Sequence, residues 1–317
     1  MRTIRVEAPG LFTTVQDLGR EGFGAMGVSP AGAADAIALR VGNRLLGNSQ
    51  DASGLEMTLL GGTFVFPEGA VVALAGSDFG ASLGENWVEM WTSFEVKPGQ
   101  ALRIGPSRDG ARCYLCVRGG ISVSMFLGSA STHVLSGLGG FEGRALRKGD
   151  VLKIGNPDDE YLPSRRGRVG EPVLDRLRRR TLLRVTPGPQ GRWFSDAARR
   201  SFYESSYRVM EESNRMGLRL AGSPLAVEGG HGEMITEGVS LGAIQVPENG
   251  LPIILFVDQQ TTGGYPKIAN VIAADMASVG QLRPRDEVRF EEVGWEAARS
   301  LLIEQEDLLR SEILILE

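Results

Sequence analysis

The segment Asp258-Gln-Gln-Thr-Thr-Gly-Gly-Tyr-Pro266 gathers a carboxylate, two amides, two hydroxyls and a phenol around two adjacent glycines. It directly follows the apolar run Ile253–Val257, and strand ends are where folds present chemistry. Adjacent glycines let backbone N–H groups converge on an anion or a developing oxyanion. The rival reading is a polar loop whose side chains satisfy its own backbone. So many donors and acceptors beside a buried strand favour a site. Asp258 and Tyr265 are candidates for acid–base and orienting work, and Gln260, Thr261, Thr262, Gly263 and Gly264 for binding. Upstream, Ser213-Asn-Arg-Met-Gly-Leu-Arg-Leu220 offers Arg215 as a bidentate fork for a carboxylate or phosphate. A surface ion pair accounts for that arginine equally well. Asn214 beside it and Gln245, in Gln245-Val-Pro247, join the binding candidates. In the first half, Gln16-Asp-Leu-Gly-Arg20 and Gly128-Ser-Ala-Ser-Thr132 are comparable polar loops, which adds Gln16 and Asp17.

Other motifs carry less. Gly22-Phe-Gly-Ala-Met-Gly27 matches G-x-G-x-x-G, but a dinucleotide fold needs a strand before it and a helix opening on it. Here Gln16-Asp17 precedes it and Pro30 interrupts before any helix. No G-x-x-x-x-G-K-[ST] occurs, so a nucleotide site must be built another way or shared with a partner. Cys113 and Cys116 form a C-x-x-C inside a strand-like run, where residues three apart face opposite sides. That geometry predicts buried structural thiols rather than a redox or zinc pair. His133 and His231 lack ligand spacing, so no metal ligands are assigned. They also sit in Gly- or Ser-rich loops without a nucleophile elbow, which leaves no convincing Ser-His-Asp set.

These loops must be held by short strands. Strand candidates recur at Thr63–Phe66, Val71–Leu74, Trp87–Phe94, Ala101–Ile104, Cys113–Val117 and Val151–Ile154, mostly separated by Gly, Pro or Asp. The second half adds Leu182–Val185, Tyr207–Met210, Ala243–Val246, Ile253–Val257 and Ile268–Ala273. Lys97-Pro-Gly-Gln-Ala-Leu-Arg-Ile104 resembles Arg147-Lys-Gly-Asp-Val-Leu-Lys-Ile154 and Arg283-Pro-Arg-Asp-Glu-Val-Arg-Phe290. Each reads as a turn feeding a strand, and together they hint at two related β domains. Helical patterns are few: about Ala31 to Leu46, a short one near Ser195–Tyr203, another capped by Asp275 and running to Gln281, and Trp295 to Leu309. The boundaries predicted are a domain over 1–155, an exposed Pro- and Arg-rich linker over 156–180, and a second domain over 181–317 ending in the terminal helix.

Composition narrows the class. The 317 residues suit two domains, and 42% hydrophobic residues suit ordinary packed cores. The 43 glycines fit many tight turns. A formal charge of −5 disfavours nucleic acid, and no apolar run approaches the ~18 residues that span a bilayer. No apolar leader core opens the chain, so a cytoplasmic protein without membrane association is expected.

Taken in order, the polar clusters resemble one family, the allophanate-hydrolase-subunit-2-like or biotin-dependent carboxyltransferase-like family. The resemblance rests on T-T-V-Q-D-L-G-R (Thr13–Arg20), G-V-S-P-A-G-A-A-D (Gly27–Asp35), Y-L-C-V-R-G-G-I (Tyr114–Ile121), L-G-S-A-S-T (Leu127–Thr132) and G-P-Q (Gly188–Gln190). It rests most on S-N-R-M-G-L-R-L (Ser213–Leu220), I-Q-V-P (Ile244–Pro247) and D-Q-Q-T-T-G-G-Y-P-K-I (Asp258–Ile268). One departure is that a serine common in the early motif is replaced near Ala31. The resemblance implies a mostly β fold of two cyclophilin-like β-barrel domains with a few short helices. It also implies one component of an ATP-dependent 5-oxoprolinase, working with subunits B and A (KipI-like and LamB/YcsF-like proteins) on a small amide, with ATP and Mg²⁺ in the complex. In that scheme Arg215 clamps a carboxylate or phosphate, Asp258 is a base or a Mg²⁺ ligand, and Tyr265 orients the ring. The family's other members imply two alternatives: the carboxyltransferase part of a biotin-dependent urea carboxylase, or a non-enzymatic regulator like the KipA antagonist. Biotin enters only under the first of these.

Overall fold

A computed structural model describes residues 2–156, 167–227, 234–312 and 315–316. His231 and residues 157–166 of the expected linker lie outside them. The chain forms two compact units. One takes Met1–Arg20, Ala31–Arg178 and Leu308–Glu317; the other takes Glu21–Pro30 and Arg179–Asp307. Among the described residues, no helix is long and apolar enough to cross a membrane.

The first unit is built on two seven-stranded sheets. The apolar positions that alternate along its strands, such as Ile4 and Val6, Val72 and Leu74, and Cys113, Leu115 and Val117, close one core between the sheets. Strand Arg112–Val117 is buried along its whole length because another layer covers its other face. Tyr114 and Cys116 meet Leu39, Val41 and Leu45 there, together with Val173, Leu308 and Leu309. The two cysteines therefore point into different cores, as the strand period requires. Burial holds both thiols protonated, Cys116 at about 12.

The second unit is a closed seven-stranded barrel. Strand Leu182–Pro187 pairs antiparallel with Lys267–Val271 and parallel with Glu287–Glu292, which completes the ring. Helix Asp196–Glu204, capped by Ser195 Oγ accepting from Ala198 N–H, stacks Phe202 on Phe290 with centroids 4.5 Å apart. A separate two-stranded ribbon joins Glu237–Gly238 to Thr262–Gly263.

The mostly β architecture is as expected, and the differences have local causes. The first helix runs Ala36–Arg44 rather than from Ala31: Ala31 and Gly32 hold φ of 52° and 93°, which a right-handed helix excludes, and Asp35 caps at Ala38. Asp275 makes no side-chain cap on Met276–Gly280; its carboxylate accepts from Arg184 instead. Part of the expected linker is helical, Glu171–Leu177, with Val173 buried. The predicted strand Trp87–Phe94 is two strands, Asn86–Trp87 and Thr92–Val96.

The three similar turns do share one geometry. Gln100 Oε1 accepts from Lys97 N–H at 2.8 Å, Asp150 Oδ2 from Arg147 N–H at 2.7 Å, and Asp286 Oδ2 from Arg283 N–H at 2.9 Å. The third residue is left-handed in each: Gly99 at 76°, Gly149 at 94° and Arg285 at 75°. Its N–H reaches a carbonyl outside the turn, at Phe66, Val6 and Val209 respectively.

Candidate functional site

In the second unit, Arg215 and Asp258 meet each other. The guanidinium donates through Nε to Oδ2 at 2.8 Å and through Nη2 to Oδ1 at 3.0 Å, with both side chains 8% exposed. Asp258 N–H also donates to the Arg215 carbonyl, and Phe256 N–H to that of Met216. The fork anticipated for a ligand is thus closed on the loop's own carboxylate. A buried bidentate pair fixes the exit of strand Ile253–Leu255 and the start of the polar loop. Asn214, exposed, accepts from Met216 N–H at 2.8 Å through Oδ1, an Asx turn leading into strand Gly217–Ala221.

Beyond Asp258 the loop folds back as the ribbon. Val239 N–H donates to the Thr261 carbonyl, and Gly263 pairs with Glu237. Neither Gly263 nor Gly264 has positive φ. Gly263 is required by closeness: a Cβ there would lie 2.4 Å from Gln245 Nε2. Gln245, 1% exposed on strand Ala243–Gln245, accepts from Gln260 Nε2 at 3.3 Å through Oε1, and its own Nε2 has no partner among the described residues. Thr262 is exposed and Tyr265 is 44% exposed, so this end of the loop meets solvent.

Next to Gln245 on the barrel ladder stands Lys267, its register partner. Lys267 Nζ is ion-paired with Glu237 Oε1. Gln190 ties the two together: its Nε2 donates to Glu237 Oε1 at 2.9 Å and its Oε1 accepts from Lys267 N–H at 3.2 Å. The ammonium and this amide hold the Glu237 carboxyl below its usual range, the lysine contributing most. Sequence patterning does not point to Glu237, and Gln190 and Lys267 carry a signal only as members of family-like strings. No spacing links residues 190, 237 and 267; the closed barrel and the Glu237–Gly263 ribbon bring them together.

The first-half candidates belong to the other unit. Asp17 Oδ1 accepts from Gly19 N–H at 2.8 Å, Ser129 Oγ at 2.6 Å and Ser131 Oγ, while Oδ2 accepts from Ala130 N–H at 2.6 Å. Gln16 Nε2 donates to Thr14 Oγ1 and the Thr132 carbonyl. The Gly22–Gly27 motif forms a single 3-10 turn, Gly24–Met26, with no strand-to-helix junction around it. Among the described residues no three His, Cys, Asp or Glu side chains converge as metal ligands.

The family model for the carboxyltransferase domain, subdomain A and B, matches residues 26–292. The chain is 39% identical over 297 residues to the C subunit of 5-oxoprolinase from Escherichia coli (strain K12), covering 93% of each. It is 36% identical to the Haemophilus influenzae protein of the same name, covering 91% of this chain and 90% of that one. Among solved structures, the K. lactis urea amidolyase superimposes with a TM-score of 0.91 at 31% identity over 99% of this chain, but the match spans only 21% of that larger chain.

Proposed function

This chain belongs to the carboxyltransferase domain, subdomain A and B, family, and from that premise we propose that it is the C subunit of a cytoplasmic ATP-dependent 5-oxoprolinase that opens 5-oxo-L-proline to L-glutamate. One observation carries the choice within the family. The chain is 39% identical to the 5-oxoprolinase C subunit over 93% of both chains, against 31% identity to the urea amidolyase, of whose longer chain the match spans 21%. The partners in this reading are subunits A and B.

A lactam is a stable amide, and coupling to ATP supplies the phosphoryl group that makes its oxygen a leaving group. The Gly22–Gly27 stretch is a single 3-10 turn, and among the described residues no three His, Cys, Asp or Glu side chains converge as metal ligands. In this reading ATP and Mg²⁺ act in the assembled complex. What this chain contributes is a pre-shaped polar wall. The Arg215–Asp258 pair acts as a positioning unit that fixes the loop, and Gln260, Thr261, Thr262 and Tyr265 are the groups it presents. Gln245 and Lys267 supply donors from the barrel beneath.

The test is reconstitution. The purified chain alone should release no glutamate from 5-oxo-L-proline and ATP, and the complex with its A and B subunits should do so without inhibition by avidin. Activity of the single chain, or strong avidin inhibition of the complex, would overturn the reading, the latter in favour of the carboxyltransferase alternative.

A further inference from the structure

Lys267 holds an unusual position. Its side chain is 4% exposed on a barrel strand, yet among the described residues its Nζ has the ion pair with Glu237 and no hydrogen bond besides. An ammonium carries three donors, and burying them unfilled is costly. Its register partner Gln245 likewise leaves Nε2 unfilled at 1% exposure. Donors left open on adjacent strands call for an acceptor-bearing ligand.

There is room for one. Lys267 and Glu237 line a cavity of about 320 Å³ within the second unit, together with Pro189, the Gly238–Ser240 stretch, Ala243 and Ala269. Asn270, also on the wall, is engaged with Ser240 and the Val271 carbonyl, so the charged pair is the cavity's recognition element.

We propose that this cavity binds a small acid whose carboxylate stands next to an amide N–H, the carboxylate on Lys267 and the N–H on Glu237. An adjacent ammonium and carboxylate are the complement of that pair. A bare carboxylate satisfies Lys267 but is repelled by Glu237, while a neutral lactam leaves the ammonium unfilled. The choice of 5-oxo-L-proline as the probe rests on the function proposed above; the site itself rests on the cavity and its two charges.

Calorimetric titration of the full chain with 5-oxo-L-proline, 2-pyrrolidinone and cyclopentanecarboxylate tests this. The first should bind, and the other two at least about tenfold more weakly, the scale of one lost charge-assisted hydrogen bond. Lys267→Met should weaken 5-oxo-L-proline binding by about tenfold or more on the same grounds. Glu237→Gln, at a half-exposed side chain that does not threaten the fold, should shrink the preference for 5-oxo-L-proline over cyclopentanecarboxylate by raising the affinity of the latter. No binding to the wild-type chain, equal binding of 2-pyrrolidinone, a Lys267→Met affinity within twofold of wild type, or an unchanged preference in Glu237→Gln would each overturn the site. The two proposals fail separately. A reconstituted complex in which Lys267→Met keeps the wild-type KM sinks the cavity and leaves the enzyme reading standing. Selective, Lys267-dependent binding with no ATP-dependent hydrolysis does the reverse.

Discussion

Asp17 and Asp258 are alike in the sequence, for each is an acid in a polar, glycine-bearing loop. They belong to different units, and the structure separates them by what surrounds them. Asp17 accepts from two backbone N–H groups and two serine hydroxyls, all neutral. Asp258 accepts from one arginine fork. Both carboxylates are engaged, and among the described residues the open donors of the barrel unit lie elsewhere, on Tyr207, Gln245 and Lys267. Residue type marks where polar density is high; only the hydrogen-bond pattern says which polar groups are still available to a ligand.

The sharpest way to break this contrast is at the ion pair. Asp258→Asn takes the negative charge out of the buried Arg215–Asp258 pair, and breaking such a pair costs about 3–5 kcal/mol; the midpoint of urea unfolding should fall accordingly. An unchanged midpoint would mean that the pair is not holding the loop. Asp17→Asn keeps the shape and half the acceptor capacity, so the loss should be smaller, about 2 kcal/mol, in the range for buried donors left unfilled. A larger loss at Asp17 than at Asp258 would invert the comparison.

Gln245→Met should behave oppositely to both. It removes a buried amide whose Nε2 is unfilled and whose Oε1 accepts one long bond from Gln260, at nearly constant volume, so stability should change by less than about 1 kcal/mol in either direction. Turnover of the reconstituted complex should nevertheless fall by about tenfold or more, the worth of one hydrogen bond to a ligand. A stability loss matching Asp258→Asn, with turnover intact, would make Gln245 a fold residue. The smallest effect is expected at the third turn, where Arg285 holds the left-handed backbone that glycine holds in both first-unit copies. Arg285→Gly should raise stability by up to about 1 kcal/mol by relieving that conformation, against the added freedom of the unfolded chain. Thermal unfolding reads it, and a drop would show that the Arg285 side chain, paired with Glu211, outweighs its backbone.

Much of the fold is legible in the sequence because it is written in local rules. Strand period two puts Cys113 and Cys116 in separate cores, and the repeated turn keeps its position-four acceptor in all three copies. The terminal helix, Trp295–Arg310, follows its apolar stripe. Where a left-handed residue or a stronger partner intervenes, local rules mislead: Ala31 delays the first helix, and Arg184 takes Asp275 away from its cap. The site is half legible. Its polar loop, Asp258 included, declares itself by composition and Arg215 stands out upstream, but not that these two, 43 residues apart, pair with each other. The roles of Glu237 and Gln190 leave no such trace, because their relation to Lys267 exists only once the barrel has closed.

The make-up of the two units also bears on heredity. Ten residues from the first half of the chain, Glu21–Pro30, belong to the second unit, and the last ten, Leu308–Glu317, belong to the first. A genetic breakpoint at residues 178–179, where the larger segments meet, would leave each product carrying or missing a strip of the other. A transfer that kept both units intact would have to carry the pair whole, and the match over 99% of this chain within a far longer polypeptide contains both.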